Sequence, residues 1–446
     1  MRPEYELDNP KIIKAWTFYD WANSAYSLVI SSALFPIYFS AIASSGGKHS
    51  VNFLGRDFNP ESLQSYAISA AFLVIAALSP MLSSIADYSG QKKKFMFFFS
   101  TLGAIACSLL WFFEDINTLW VGVLCSMVSA IGFAGSIVFY NAYLPELASP
   151  EEQDHVSARG FSMGYIGSSL LLIFNLTMIL FPDLYGGISN GLAMRISFLM
   201  VGVWWFGFAQ YSFKWLPADP LAKPIGKDIL TKGYSELKIV WNQLKGLPHL
   251  KMFLFAFFFY NMAVQTVMYL ATLFGVQEIA WPDEDSKQSG LIVCILLIQF
   301  VAIGGAFLFS TLSSRFGNIK ALIISIVVWM LICLGVYMFV YVPLDFYITA
   351  AFVGMVMGGI QSLSRSTYSK LLPQTHDHAS YFSFYDVCDK VGTVMGTFVF
   401  GVVNEMTGSM RDSIVALIIF FVAGILLLLK VRQEHTIVEM KFDQES

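Results

Sequence analysis

Charge is what this sequence has least of. Asp, Glu, Lys and Arg make up 13% of its 446 residues, about half of the roughly 25% found in a soluble domain. Hydrophobic residues reach 56% and mean hydropathy is +0.62, so folding in water would leave far too apolar a surface. A soluble cytosolic enzyme is excluded on that ground. The formal net charge of −4 supplies no basic field for nucleic acid. Five cysteines (Cys107, Cys125, Cys294, Cys333, Cys388) are scattered through apolar runs without Cys-x-x-Cys spacing, and they read as small hydrophobes. Walker, kinase, Gly-x-Ser-x-Gly and His-Glu-x-x-His patterns are also missing, so neither an enzyme, a cofactor, a metal nor ATP drive is expected of this chain. His376-Asp377-His378 reads as a solvated loop rather than a metal site. No cleavable leader is expected either, because the first apolar run begins near Trp16, carries Asp20 and is too long and polar for an h-region.

What the sequence has in quantity is long apolar runs. Windows fall at 16–43, 63–86, 95–113, 118–147, 159–181, 193–213, 250–275, 288–312, 321–342, 345–371, 380–404 and 411–430. Each is long enough to cross a bilayer, where the backbone must satisfy its own hydrogen bonds, so each predicts a helix. Glycines at small-xxx-small spacings, among them Gly103, Gly132 and Gly164, predict close helix packing. The longest connection, 214–249, is broken by Pro217, Pro220 and Pro224. Ile229, Leu237, Val240, Trp241 and Leu244 then recur at near-helical spacing, which predicts an amphipathic helix on the membrane surface. Basic residues are lopsided: Arg2, Lys11, Lys14, Lys92 to Lys94, Arg159, Lys214, Lys223, Lys227, Lys232, Lys238, Lys245, Lys251, Arg315, Lys320, Lys370, Lys430, Arg432 and Lys441 fall on the side of the chain ends, against Lys48, Arg56, Arg195, Lys287 and Arg411 opposite. That imbalance predicts both termini in the cytoplasm.

The two halves echo one another. Phe18-Tyr19-Asp20-Trp21-Ala22 is matched by Phe259-Tyr260-Asn261-Met262-Ala263, and Ser83-Ser84 with Gly90 and Lys93 by Ser313-Ser314 with Gly317 and Lys320. Tyr140 with Leu144-Pro145 matches Tyr368 with Leu372-Pro373, and Asp154-His155 with Ser157 matches Asp377-His378 with Ser380. The common order predicts an all-α integral membrane fold: twelve transmembrane helices in two pseudo-symmetric six-helix bundles, 1–213 and 250–430. A cytoplasmic linker, 214–249, joins them and a tail, 431–446, follows. This architecture resembles that of the major facilitator superfamily. The run Ala86-Asp87-Tyr88-Ser89-Gly90-Gln91-Lys92-Lys93-Lys94 resembles that superfamily's loop between its second and third helices, where the resemblance implies bracing of the outward-open state. Gly90 permits a tight turn, and Asp87 is expected to accept at a helix end of its own bundle.

A narrower resemblance rests on Tyr19 to Tyr26 with Pro36, on Phe139-Tyr140-Asn141-Ala142 with Leu144-Pro145, on Gly359, Gln361 and Ser364-Arg365-Ser366, and on Phe382, Phe384-Tyr385 and Lys390. These segments are similar to the bacterial uncharacterised major facilitators related to fungal vacuolar amino-acid effluxers of autophagy. The resemblance implies transport, with amino-acid export known in the fungal relatives. Ser314 and Arg315 stand where the second half's loop acid belongs, and Asp386 and Asp389 depart from a mostly neutral stretch.

An ionisable side chain inside the membrane is a functional candidate by default. Asp20, Asn23, Ser24 and Ser27 share one helical face, flanked by Tyr26; a capping role for Asp20 is the alternative. Asn141 in the fourth window, Asn261 and Gln265 in the seventh, and Gln361 and Arg365 in the tenth complete the expected solute site. Arg365 can grip a carboxylate bidentately, the alternative being an ion pair without solute contact. Asp386 and Lys390, four apart, are expected to neutralise one another, which leaves Asp389 over. Asp20 and Asp389 are the expected proton-coupling carboxylates; Asp87, Gly90, Lys93, Asp386 and Lys390 are expected to gate or brace. The expectation is a monomeric secondary transporter for a small polar solute such as an amino acid, driven by protons, with a multidrug or other metabolite exporter as the alternative. Its partners are the solute, protons and the lipid bilayer, not nucleic acid.

Overall fold

The computed structural model describes residues 6–44, 50–218 and 229–431. Among these the apolar windows become helices. The first, α1 (Pro10–Ala43), starts where Asn9 accepts from the Lys11 N–H, with Pro10 in the first turn, where its missing N–H costs nothing. From Tyr26 to Ala33 it widens to π-helical turns. This stretch precedes Pro36, whose ring would collide with the carbonyl four residues back in a regular helix. The wider turns carry the chain past it, and the Ser32 hydroxyl donates to the Ser27 carbonyl at 3.0 Å.

Five more helices complete the first half: α2 (Pro60–Ser89), α3 (Lys92–Leu109), α4 (Leu119–Asn141), α5 (Gln153–Leu180) and α6 (Asn190–Trp215). The second half repeats the set as α7 (Pro248–Glu278), α8 (Glu284–Phe316), α9 (Asn318–Phe339), α10 (Pro343–Leu371), α11 (His378–Thr407) and α12 (Met410–Leu428, with a break at Leu417). Eleven of these are long and apolar enough to span a membrane. The other, α11, has 30 residues but carries Asp386, Asp389 and Lys390. Those charges lower its hydropathy, and they face protein: the large apolar side chains exposed along its middle turns, Met395, Phe398 and Val402, lie on the opposite side of the helix at about 100° per residue.

Helix contacts run through small residues, as the glycine spacing predicts. At the α3–α4 crossing a Cβ on Gly132 would lie 2.5 Å from the Gly103 Cα. A hairpin the windows did not predict, β1 (Val51–Phe53) and β2 (Arg56–Phe58), turns through Leu54 and Gly55 with positive φ. It marks one end of the molecule, here called the hairpin end.

The opposite, linker end carries the helix Ile229–Lys245. Val240 and Leu244 are buried under it, Trp241 packs on Phe384 of α11, and the Tyr381 hydroxyl donates to Gln243 at 3.1 Å. On its other side Lys232 lies over the Tyr88 ring of α2. The linker helix therefore seats on protein from both halves, with Tyr234 and Trp241 left half-exposed at its edge. Pro220, Pro224, Lys223 and Lys227 of the linker, Arg2, Lys48, and residues 432–446 with Arg432 and Lys441 lie outside the described residues.

Candidate functional site

Arg365 leaves the second half and enters a socket built by the first. It stands six residues from the linker end of α10, and Asp20 ten residues into α1, so both lie on the linker-end side of the bundle. Arg365 is 3% exposed and Asp20 5%. The guanidinium Nη1 is 3.5 Å from the Asp20 carboxylate and 3.3 Å from the Asn141 side-chain Oδ1. Its Nε donates to the Ser157 hydroxyl and its Nη2 to the Ser157 carbonyl, both at 2.9 Å. The rings of Phe161 and Trp16 lie 4.2 and 4.8 Å from it, close enough for cation–π attraction. The Tyr140 hydroxyl donates to the same Asp20 oxygen at 2.6 Å. Gly160 opens the space, because a Cβ there would lie 2.6 Å from the Asp20 carboxylate. All these partners of Arg365 come from the N-terminal half.

Toward the hairpin end, Gln361 accepts from the Tyr165 hydroxyl across the halves at 2.8 Å. Asn23 is buried next to Asp20, its amide nitrogen without a hydrogen-bond partner among the described residues. Tyr26 is placed apart from this group: its ring packs on Phe133 and Trp205 inside the first half.

A second polar cluster joins α7 and α11. Asn261 and Gln265 donate to one oxygen of Asp389 at 2.7 and 3.1 Å, and Lys390 meets the other at 2.5 Å. Lys390 is 3.5 Å from Asp386. The charge pattern thus differs from the one expected from spacing. Asp389 is fully engaged, and the carboxylate oxygen left without a partner among the described residues is Oδ2 of Asp386. Asn261 thus brings the Asp389 carboxylate to the α7 side. Tyr269 lies within electrostatic reach of Asp389, Lys390 and Ser31 of α1, which closes the cluster toward the first half.

The linker end is sealed by acids that cross between the halves. The sequence places Asp87 in the service of its own bundle; instead it reaches the start of α11 in the other. Its carboxylate accepts from the Ser380 N–H and hydroxyl, each at 2.7 Å, and from the Ala379 N–H at 3.3 Å. A carboxylate at a helix N-terminus satisfies orphan donors and complements the dipole. Gly90 turns with φ +65° just beyond it, and Lys93 donates to the Leu216 carbonyl at 2.7 Å, tying α3 to the end of α6. In the repeat, the acid missing from the α8–α9 loop is supplied from the opposite side. Asp154, in the first turn of α5, accepts from Ser313, Asn318 and Lys370, each at 2.7 Å. Glu146 adds a third crossing, to His378 at 2.8 Å, while holding Lys92 at 2.5 Å. Sequence reading missed Asp154, Lys370 and His378 as seam residues. The matched Asp154-His155 and Asp377-His378 pairs were the signal available.

An apolar pocket in the second half, lined by Val267, Leu270, Phe274, Cys333, Phe346 and Phe400 among others, touches none of the candidate residues. No group of three or more metal-capable side chains occurs among the described residues.

A family profile described as "Vacuole effluxer Atg22 like" matches residues 8–441. The chain is 34% identical over 424 residues to an uncharacterised MFS-type transporter, YxiO, of Bacillus subtilis, covering 94% of both chains. It is 24% identical to autophagy-related protein 22-1 of Penicillium rubens, covering 89% of this chain and 79% of that one. Among solved structures, the proton:xylose symporter XylE superposes with TM-score 0.71 at 12% identity, covering 95% of both chains. The Escherichia coli fucose:proton symporter FucP superposes with TM-score 0.66 at 15% identity, covering 95% of this chain and 98% of that one. These likenesses show the major facilitator fold.

Proposed function

The chain belongs to the vacuole effluxer Atg22-like family of major facilitator transporters, and on that footing we propose that it moves a zwitterionic amino acid by alternating access, coupled to protons. One observation carries the reading: among the described residues the only ionic partner of Arg365 in its socket is Asp20, and the two belong to opposite halves. Opening the linker end must pull them apart, and stranding either charge in a low-dielectric interior costs about 3–5 kcal/mol. A zwitterion removes that obstacle, because its carboxylate takes the place of Asp20 beside Arg365 and its ammonium the place of Arg365 beside Asp20. A neutral sugar or a simple cation would satisfy at most one of the two. Solute binding and opening are thereby coupled through one exchange of partners. Asn141 and Gln361 border the pair and would hold the backbone of the solute, with Asn23 beside Asp20; Asn261 and Gln265 would meet its side chain from α7. Proton drive is part of the same reading, since carboxylates lie inside the bundle and the chain has no nucleotide motif; Asp20 and Asp389 are the carboxylates that sequence spacing singles out.

The linker end is read as cytoplasmic from the distribution of basic residues, in a bacterial plasma membrane, with the protein acting as a monomer. Proteoliposomes loaded with labelled amino acids, with and without an imposed proton gradient, test the reading. Gradient-dependent flux that is lost in Arg365→Ala and in Asp20→Asn, both still folded, is the expected result. Flux of bulky organic cations but of no amino acid would replace the zwitterion with a drug-like solute.

A further inference from the structure

Charge counting inside the bundle leaves one unit over. The Asp20–Arg365 pair balances. In the second cluster Asp386 and Asp389 face a single cation, Lys390, which sits 2.5 Å from Asp389 and 3.5 Å from Asp386. Asp389 receives two further donors, from Asn261 and Gln265. Asp386 receives none among the described residues: it is 4% exposed, and its Oδ2 is buried without any hydrogen-bond partner.

Among the described residues, no charge from a neighbouring element corrects this. Of the helices packed on α11, α2 bears its described charge, Asp87, at the linker end, alongside Tyr88; α7 has His249 and Lys251 at that end, Tyr260 and Tyr269 between, and Glu278 at the other. α4 has only Cys125 and Tyr140, α12 has Arg411 and Asp412 at the hairpin end, and the linker helix has Lys232, Tyr234, Glu236, Lys238 and Lys245 outside the bundle. The charges acting on Asp386 are Lys390 and Asp389 of its own helix. Its position, about 12 Å along α11 and opposite the exposed Met395, Phe398 and Val402, aims it at the interior rather than at lipid.

We propose that Asp386 is the proton-binding group of this transporter, taking one proton to neutralise the cluster it forms with Asp389 and Lys390. This deepens the proton-coupled reading above, and its use in coupling rests on that reading. The balance is one proton for one surplus charge: the Asp386 carboxylate becomes a carboxylic acid, and Lys390 stays with Asp389. Asp20 is less suited, since protonating it would strand Arg365. Asp389 is less suited because two amide donors and Lys390 already occupy both of its oxygens.

The site can be tested without knowing the solute. Infrared difference spectra of the full chain in lipid nanodiscs, titrated between about pH 5 and pH 9, report buried protonated carboxyl groups by their carbonyl stretch. A band that titrates in the wild type, is absent from Asp386→Asn and moves in frequency in Asp386→Glu is expected. Asp389→Glu and Asp20→Glu should leave its frequency in place. Persistence of the band in Asp386→Asn, its movement in Asp389→Glu, or no titrating band in the wild type overturns the assignment. Should Asp386→Asn fail to fold, the frequency shift in Asp386→Glu decides alone. If the band belongs to Asp386 but solute flux ignores an imposed proton gradient, the site stands and the coupling reading fails.

Discussion

Asp154 and Lys370, 216 positions apart in the chain, meet across the two halves at 2.7 Å. Their contact accompanies the one Asp87 makes with the start of α11, and in both the first half supplies the acid and the second half the donors. At one crossing the acid sits at the end of α2 and reaches the N-terminus of α11. At the other it sits at the N-terminus of α5 and gathers Ser313 and Asn318 from the α8–α9 corner together with Lys370. The two crossings hold α2 to α11 and α5 to α8 and α10 at the linker end, so both must break for that end to open.

Neutralising either acid should therefore loosen the linker end without unfolding either half. Asp154→Asn and Asp87→Asn are each expected to cost the closed state about 1–2 kcal/mol, a factor of roughly 5–30 in population. Faster amide exchange at the first turns of α5 and α11, with the interior of each half unchanged, would show it. Equal exchange in wild type and both variants would mean the crossings do not hold the end closed.

The socket predicts non-additive variants. Arg365→Gln strands a buried carboxylate and should destabilise the protein by about 3–5 kcal/mol. Combining it with Asp20→Asn removes the stranded charge, so the double variant should unfold at a higher temperature than Arg365→Gln alone. A double variant no better than the worse single would show that the pair is not coupled.

Gly160 is predicted to tolerate no side chain. A Cβ would lie 2.6 Å from the Asp20 carboxylate, 3.0 Å from the Arg365 guanidinium and 3.1 Å from the Trp16 ring. Gly160→Val should push Arg365 out of its socket at about 1–3 kcal/mol, visible as faster exchange in the linker-end turns of α10. Gly207, where nothing lies within 4 Å of an added Cβ, is the matched control.

Much of the fold and part of the site are legible in the sequence because the bilayer leaves so few choices. Apolar windows must be helices, and a charge inside one must have a partner, so Asp20, Arg365 and Asp389 stand out from their positions in the apolar runs alone. The partners are less legible. Spacing along α11 pairs Lys390 with Asp386, one turn away, yet Lys390 lies closer to its neighbour Asp389, which Asn261 and Gln265 hold from another helix. The Asp154–Lys370 contact has no local signature at all, since it arises only when two bundles close on one another. The π-helical turns have Pro36 as their one local signal, since their own composition is that of any apolar helix.

The linker helix should respond to pH through Glu236. Burial, and then the nearby Asp377 carboxylate, raise the Glu236 acid above its ordinary value of 4.5. A carboxyl raised in the docked form favours docking when protonated, so seating is strongest below that ordinary value and weakens as pH rises through the shifted one. Glu236→Gln fixes the protonated pattern of charge. At neutral pH its linker amides, between Ile229 and Lys245, should exchange more slowly than those of the wild type. Compared at matched pH, so that intrinsic exchange cancels, the difference should shrink as the pH is lowered toward 4.5. A difference that stays constant with pH would detach Glu236 from the seating of the helix.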